Sequence, residues 1–135
     1  MFISETQIRV RYGETDQMGY VYYGNYALYY EVARVEALRK AGTSYRQLEE
    51  SGIMLPVLEV HSKFIRPGRY DDLLTLTTYM KELPSARIRF EVEIRNEAAE
   101  LIHTGDVTLA FVDMKTNKPI RCPSPLLESL RKYFT

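Results

Sequence analysis

The chain has 135 residues, 45% of them hydrophobic, a length and composition that allow a packed core and exclude disorder as the default state. Its 18 Lys and Arg balance 18 Asp and Glu, so no global field favours nucleic acid or an anionic membrane, and any anion must be held by a local patch. No apolar run approaches the ~18 residues of a membrane span, and the single cysteine, Cys122, excludes an internal disulfide framework.

The opening MFISETQIRV lacks the cationic, apolar and small-residue succession of a signal peptide, and with the lone cysteine it leads to the expectation of a cytoplasmic protein. One domain is expected over residues 1–135, without internal repeats or low-complexity tracts. Thr6 to Tyr12 alternates, with Ile8, Val10 and Tyr12 on one face and Arg9 and Arg11 on the other, which predicts a strand with one wet side. It delivers the chain into Gly13-Glu14-Thr15-Asp16-Gln17-Met18-Gly19-Tyr20, a run rich in turn formers, and then into the short aromatic run Val21 to Gly24.

The strongest periodicity follows. Tyr26, Tyr30, Ala33, Ala37 and Ala41 recur at steps of three and four, while Glu31, Arg34, Glu36, Arg39 and Lys40 fill other positions. This predicts a helix over 26–41, about 24 Å long at ~1.5 Å per residue, with Asn25 as its N-cap and Gly42 as the left-handed residue past its end. Ser44 to Glu50 predicts a short second helix stopped by Ser51-Gly52. From Leu55 the period changes to two: strands are predicted over 57–66, ended by Pro67-Gly68, over 73–83, over 86–96 and over 101–113. In the third of these Ile88, Phe90, Val92 and Ile94 alternate with Arg87, Arg89, Glu91, Glu93 and Arg95. Short links between successive strands predict an antiparallel meander, and Ser124 is expected to cap a last helix that places Pro125 in its first turn and turns Leu126, Leu127 and Leu130 inward. Strand, long helix, four strands and a short helix make an α+β protein.

Asp16 admits two readings. It can be an Asx-turn residue that satisfies loop N–H groups, or a reactive carboxylate beside the N-terminus of a long helix, where an anion-stabilising dipole lies within reach. The run R-Y-x-E-T-D-x-M-G-Y-V-Y-Y-x-N-Y-x-x-Y-Y-E-x-A-R from Arg11 to Arg34 resembles the signature of the 4-hydroxybenzoyl-CoA thioesterase family of hotdog-fold enzymes. Phe64 to Leu76 and Asn117 to Pro123 resemble that family's following segments in the expected order, so the likeness covers nearly the whole chain. It implies a five-stranded antiparallel sheet wrapped around one long helix, and an acyl-CoA thioesterase that releases a carboxylic acid and free CoA. The family's Asp, nucleophile or general base, aligns with Asp16. Backbone N–H groups around Tyr23 and Gly24 would hold the oxyanion, Gly19 would let the loop bend, and Val21 and Tyr22 would line the acyl pocket. Tyr23 stands where one branch of the family carries a histidine, which leaves Asp16 with backbone help alone.

Arg66, Arg69, Arg87 and Arg89 are candidate phosphate ligands for CoA, with Arg87 first and Arg66 second. Glu31, one turn before Arg34, is the only second acid near the helix start that could support catalysis; the alternative is an ordinary helix ion pair with Arg34. His61 and His103 are far apart in sequence, which argues against a metal site, and no G-x-S-x-G elbow accompanies either one. Neither sits in a dehydratase-type motif, so both read as hydrogen-bonded strand histidines. No metal and no cofactor beyond the substrate's own CoA is expected. An open sheet edge, together with 11 Tyr and no Trp, points to a homodimer, and the resemblance adds tetramers. The competing reading is a non-catalytic acyl-CoA or acyl-carrier-protein binding module of the same fold.

Overall fold

A computed structural model describes residues 1–134. The chain runs through β1 (Phe2–Arg9), a 3₁₀ turn (Tyr12–Glu14), α1 (Asn25–Lys40), α2 (Tyr45–Glu50) and β2 (Ile53–Met54). It continues through β3 (Val57–Phe64), β4 (Leu73–Met80), β5 (Arg87–Arg95), β6 (Leu101–Asp113), β7 (Lys118–Ile120) and α3 (Ser124–Arg131). The five long strands form one antiparallel sheet in the order β1-β4-β5-β6-β3, and the short β2 and β7 pair with the end of β6.

The sheet wraps α1 because the two periods meet face to face. The helix turns Tyr26, Tyr29, Tyr30, Ala33, Ala37 and Leu38 into the core, and β5 turns Ile88, Phe90, Val92 and Ile94 toward them. Each of the largest of these, fully removed from water, contributes roughly 2 kcal/mol of hydrophobic stabilisation. The alanines let the helix lie close to the strands, and Gly42, at φ +94°, turns the chain out of it.

Several expectations need correction. β1 begins at Phe2 and ends at Arg9; Ile8 and Val10 face inward as expected, but Tyr12 belongs to the 3₁₀ turn and is 77% exposed. Asn25 is the first residue of α1, with Gly24 as its cap, and its side-chain amide donates to the Glu14 carbonyl at 2.8 Å instead of accepting from the helix. Ser124 likewise opens α3 behind Pro123 and makes no side-chain cap. Ser44, by contrast, does cap α2, accepting from the Gln47 N–H at 3.1 Å. Only β4, β5 and β6 form a meander. β3 pairs with β6 and β4 with β1, because the link 65–72 leaves the sheet edge and crosses the N-terminal end of α1. Arg34 gives its Nε–H to the Tyr45 hydroxyl at 2.8 Å, and Glu31 stands exposed, so the anticipated helix ion pair does not form.

Candidate functional site

Glu14 holds the loop that carries Asp16. Its carboxylate accepts from the Arg11 N–H at 2.9 Å, from the Arg11 guanidinium at 2.9 and 3.2 Å, and from the Tyr29 hydroxyl at 2.9 Å. Its carbonyl accepts from the Tyr22 N–H and from Asn25. Burial works to raise the Glu14 carboxyl, but the hydrogen bonds from Arg11 and Tyr29 outweigh it and hold the group below the usual carboxylate range. Burial, and after it the bond to Glu14, pushes the Tyr29 hydroxyl well up. The loop is thus fastened to the first turns of α1 by a charged hydrogen-bond hub that periodicity does not reveal, although Arg11 and Glu14 both lie in the quoted signature.

On that base Asp16 closes an Asx turn: its Oδ1 accepts from the Met18 N–H at 2.9 Å and the Tyr20 N–H at 3.2 Å. The Asp16 N–H bonds the Tyr20 carbonyl at 2.8 Å, and Gly19 takes φ +80°, a conformation that any other residue would strain to adopt. Oδ2 takes no hydrogen bond among the described residues. The N–H of Tyr22 is used by Glu14, whereas those of Tyr23 and Gly24, at the positive end of α1, have no acceptor there.

The opposite wall is the link 65–72. Val21 donates to the Gly68 carbonyl at 2.8 Å, Tyr20 bridges Arg69, and the Arg69 guanidinium lies 4.9 Å from the Tyr20 ring centre. Between loop and link runs a groove of about 350 Å³, lined by Asp16, Met18, Tyr20, Val21, Tyr23, Tyr26, Phe64, Ile65, Arg66 and Pro67. The structure therefore brings Asp16, Val21, Tyr23 and Arg66 to one cleft, with Gly19 and Gly24 beside it. Tyr22 lies outside the lining, its ring packed on Tyr23 at 4.7 Å. Arg87 is on the outer face of the sheet in a separate depression with Glu59, Ser85, Arg89 and Thr108. Phe64 and Tyr26, aromatic wall residues of the groove, carry no sequence signal that distinguishes them from core.

A larger hollow of about 540 Å³ also lies on the outer face. Two of its acids are engaged: Asp106 with His61 at 3.1 Å and with Arg89 at 3.3 Å, and Glu91 with Lys81 at 3.2 Å. No helix end lines it and its Asp106 and Glu91 carboxylates are ion-paired, so the groove is the better site on chemistry. Among the described residues no three His, Cys, Asp or Glu side chains are grouped to hold a metal, and no helix is long and apolar enough to cross a membrane.

A long helix in a curled antiparallel sheet, with a carboxylate loop at the helix's N-terminal end, defines the hotdog class of α+β proteins. Within that class the chain belongs to the thioesterase-like superfamily, whose sequence model matches residues 10–130. It is similar to YneP of Bacillus subtilis, provisionally named an acyl-CoA thioesterase, at 31% identity over 90% of this chain and 88% of that one. The acyl-CoA thioesterase YbgC of Haemophilus influenzae is 32% identical over 86% of this chain and 85% of its own. The crystal structure of a DHNA-CoA thioesterase from Staphylococcus aureus superposes with a TM-score of 0.86 and 36% identity, covering 99% of this chain and 85% of that one.

His103 is buried behind the groove. Burial pushes its imidazole down to about 4. The unfolded chain takes up this proton near the ordinary value of 6.5, so between the two values it binds more protons than the folded chain and stability falls as pH drops through that window. Denaturant unfolding at pH 7 and at pH 4 should differ by up to about 3 kcal/mol more in the parent than in His103→Phe. Equal slopes in the two proteins would contradict a buried neutral His103.

Proposed function

We propose that the protein hydrolyses acyl-CoA thioesters in the Asp16 groove. The observation that carries this reading is a carboxylate oxygen left free by its own turn, together with two N–H groups at the start of α1 that have no acceptor among the described residues. Oδ1 fixes the carboxylate and Oδ2 reacts, either by attacking the thioester carbonyl or by taking a proton from a water that attacks it. The carbonyl oxygen becomes an oxyanion, which the Tyr23 and Gly24 N–H groups at the helix dipole's positive end stabilise. Collapse breaks the C–S bond and expels the CoA thiolate, which takes a proton. On the nucleophilic route water then opens the acyl–Asp16 anhydride. No metal or redox cofactor enters this scheme, and a cytoplasmic location belongs to it.

The engaged Oδ1 also favours a second reading, a binding module in which Asp16 only closes its loop. Acyl-CoA bound without release of free thiol would decide for it.

Arg66 serves the CoA phosphates in this scheme. Its guanidinium is exposed at the groove and, among the described residues, is held only by a 3.6 Å contact to Glu100 that costs little to give up. Arg66→Ala should raise KM for acyl-CoA about tenfold and leave hydrolysis of a short thioester lacking the nucleotide unchanged. An equal loss on both substrates contradicts the assignment. Arg87, on the other surface, can contribute only from another copy of the chain.

The active unit is at least a dimer, joined along β3. That strand pairs on one side only, with β6, and exposes Val57, Leu58, Val60 and Phe64. The outer edge of β1 is instead capped by the Lys40 ammonium on the Ile3 carbonyl at 2.6 Å and by the N-terminal amine on the Tyr133 carbonyl. An apolar open edge demands a partner strand, and a second copy offers the same edge in antiparallel register. Phe64 ends β3 and lines the groove, so association completes the pocket. Sedimentation across dilution should show activity falling with dissociation; a fully active monomer contradicts this arrangement.

A further inference from the structure

His103 carries a polar atom that the groove chemistry does not use. Among the described residues its Nδ1 is the one buried side-chain nitrogen or oxygen without a hydrogen-bond partner, a desolvation cost that a hydrocarbon side chain at the same place would avoid. Its other nitrogen, Nε2, bonds the Tyr30 hydroxyl, yet that hydroxyl is already satisfied by Ser62 Oγ at 2.7 Å. Satisfying Tyr30 therefore does not explain the imidazole. What the bond to Tyr30 does is fix the plane of the ring. In that plane the imidazole lies flat on Tyr26, with centroids 3.9 Å apart and 2° between planes, and it meets Phe64 edge-on at 4.8 Å and 76°. Tyr26 and Phe64 also touch each other edge-on at 5.6 Å, and both line the Asp16 groove.

Resting on the reading of that groove as the acyl site, we infer that His103 is a positioning residue that sets substrate specificity: Tyr30 orients the imidazole, and the imidazole holds the Tyr26 and Phe64 rings that bound the acyl group. The chain of contacts begins on β3 at Ser62, so the strand with the open edge and the groove wall are tied through one buried ring. A side chain of similar volume without the flat face or the Nε2 bond leaves the two aromatic rings free to rotate, and the groove loses its fixed width. The chemistry at Asp16 is untouched by that change.

The test compares the parent, His103→Leu, His103→Phe and Tyr30→Phe on a panel of aromatic and aliphatic acyl-CoAs. His103→Leu should raise KM for the preferred acyl-CoA by ~10-fold, keep kcat within about twofold and flatten the ranking across the panel. His103→Phe, which keeps a flat ring, should restore part of the loss. Tyr30→Phe should shift KM in the same direction by less, and combined with His103→Leu it should add nothing, since both act through one ring. Unchanged KM in His103→Leu, a fall in kcat alone, or additive effects of Tyr30→Phe would overturn the inference. Should His103→Leu fail to fold, His103→Phe and Tyr30→Phe decide it: a ranking across the panel left unaltered in both overturns it. Acyl-CoA dissociation constants measured in an Asp16→Asn background separate this inference from the reading beneath it. If Asp16→Asn turns over at the parent's rate, the reading of the groove fails and the inference with it. If turnover falls ~100-fold or more but the His103 variants bind every acyl-CoA like the parent, the inference alone fails.

Discussion

Asp16→Asn keeps its fold and loses ~100-fold or more of its turnover on acyl-CoA. The amide oxygen of asparagine can still accept from the Met18 and Tyr20 N–H groups that Asp16 Oδ1 now holds, so the turn is preserved. The atom that changes is the free one: Oδ2 becomes an NH₂ group with neither nucleophilicity nor basicity. Steady-state kinetics beside a thermal melt checks both halves. An unchanged rate removes Asp16 from the chemistry, and a collapsed melting transition shows that its charge serves the turn. The backbone donors at Tyr23 and Gly24 remain in this variant, so a residual rate above the uncatalysed one is expected.

Gly105→Ala is expected to be the most damaging small substitution in the sheet. Gly105 lies on β6 between Ser62 of β3 and Val92 of β5, and a Cβ there would stand 2.2 Å from the Tyr30 hydroxyl oxygen and 2.3 Å from its Cζ. The ring cannot swing aside, because it is buried in α1 packing and its hydroxyl is held by Ser62 and His103. One methyl group therefore forces strand and helix apart at the centre of the core, at a cost of about 3 kcal/mol or more. Urea unfolding measures this, and adding Tyr30→Leu should recover part of the loss. A midpoint unchanged from the parent contradicts the close approach of helix and sheet.

The parts of this architecture that periodicity fixes were legible from residues alone. The α1 stripe from Tyr26 to Ala41 and the β5 alternation from Ile88 to Ile94 each bury the side chains their spacing selects, because a one-sided core admits no other phase. Strand partners were not legible. β3 alternates Leu58, Val60 and Phe64 with Glu59, His61 and Lys63, a pattern that marks a face but names no neighbour, and local links suggested the wrong one. Caps misled by one residue: Asn25 suits a cap position but gives its side chain to the Glu14 carbonyl, and Ser124 lies inside α3 with Pro123 in the cap position. Within the site, Asp16 stood out through its turn and its signature, while Glu14 looked like one more loop acid until its four hydrogen bonds were seen. As phosphate ligands Arg87 ranks ahead of Arg66 on strand position alone, and only the crossing of the link 65–72 puts Arg66 at the groove and leaves Arg87 on the outer face.

On the proposed function the groove turns acyl-CoA over and does more than bind it. Free-thiol release from a panel of aromatic and aliphatic acyl-CoAs, followed with the unaltered protein under multiple-turnover conditions, tests it most directly. Hydrolysis predicts thiol appearing in molar excess over protein for at least one acyl group, matched by the carboxylic acid. Saturable binding of acyl-CoA with no thiol released from any member of the panel would contradict it and leave a binding module in its place.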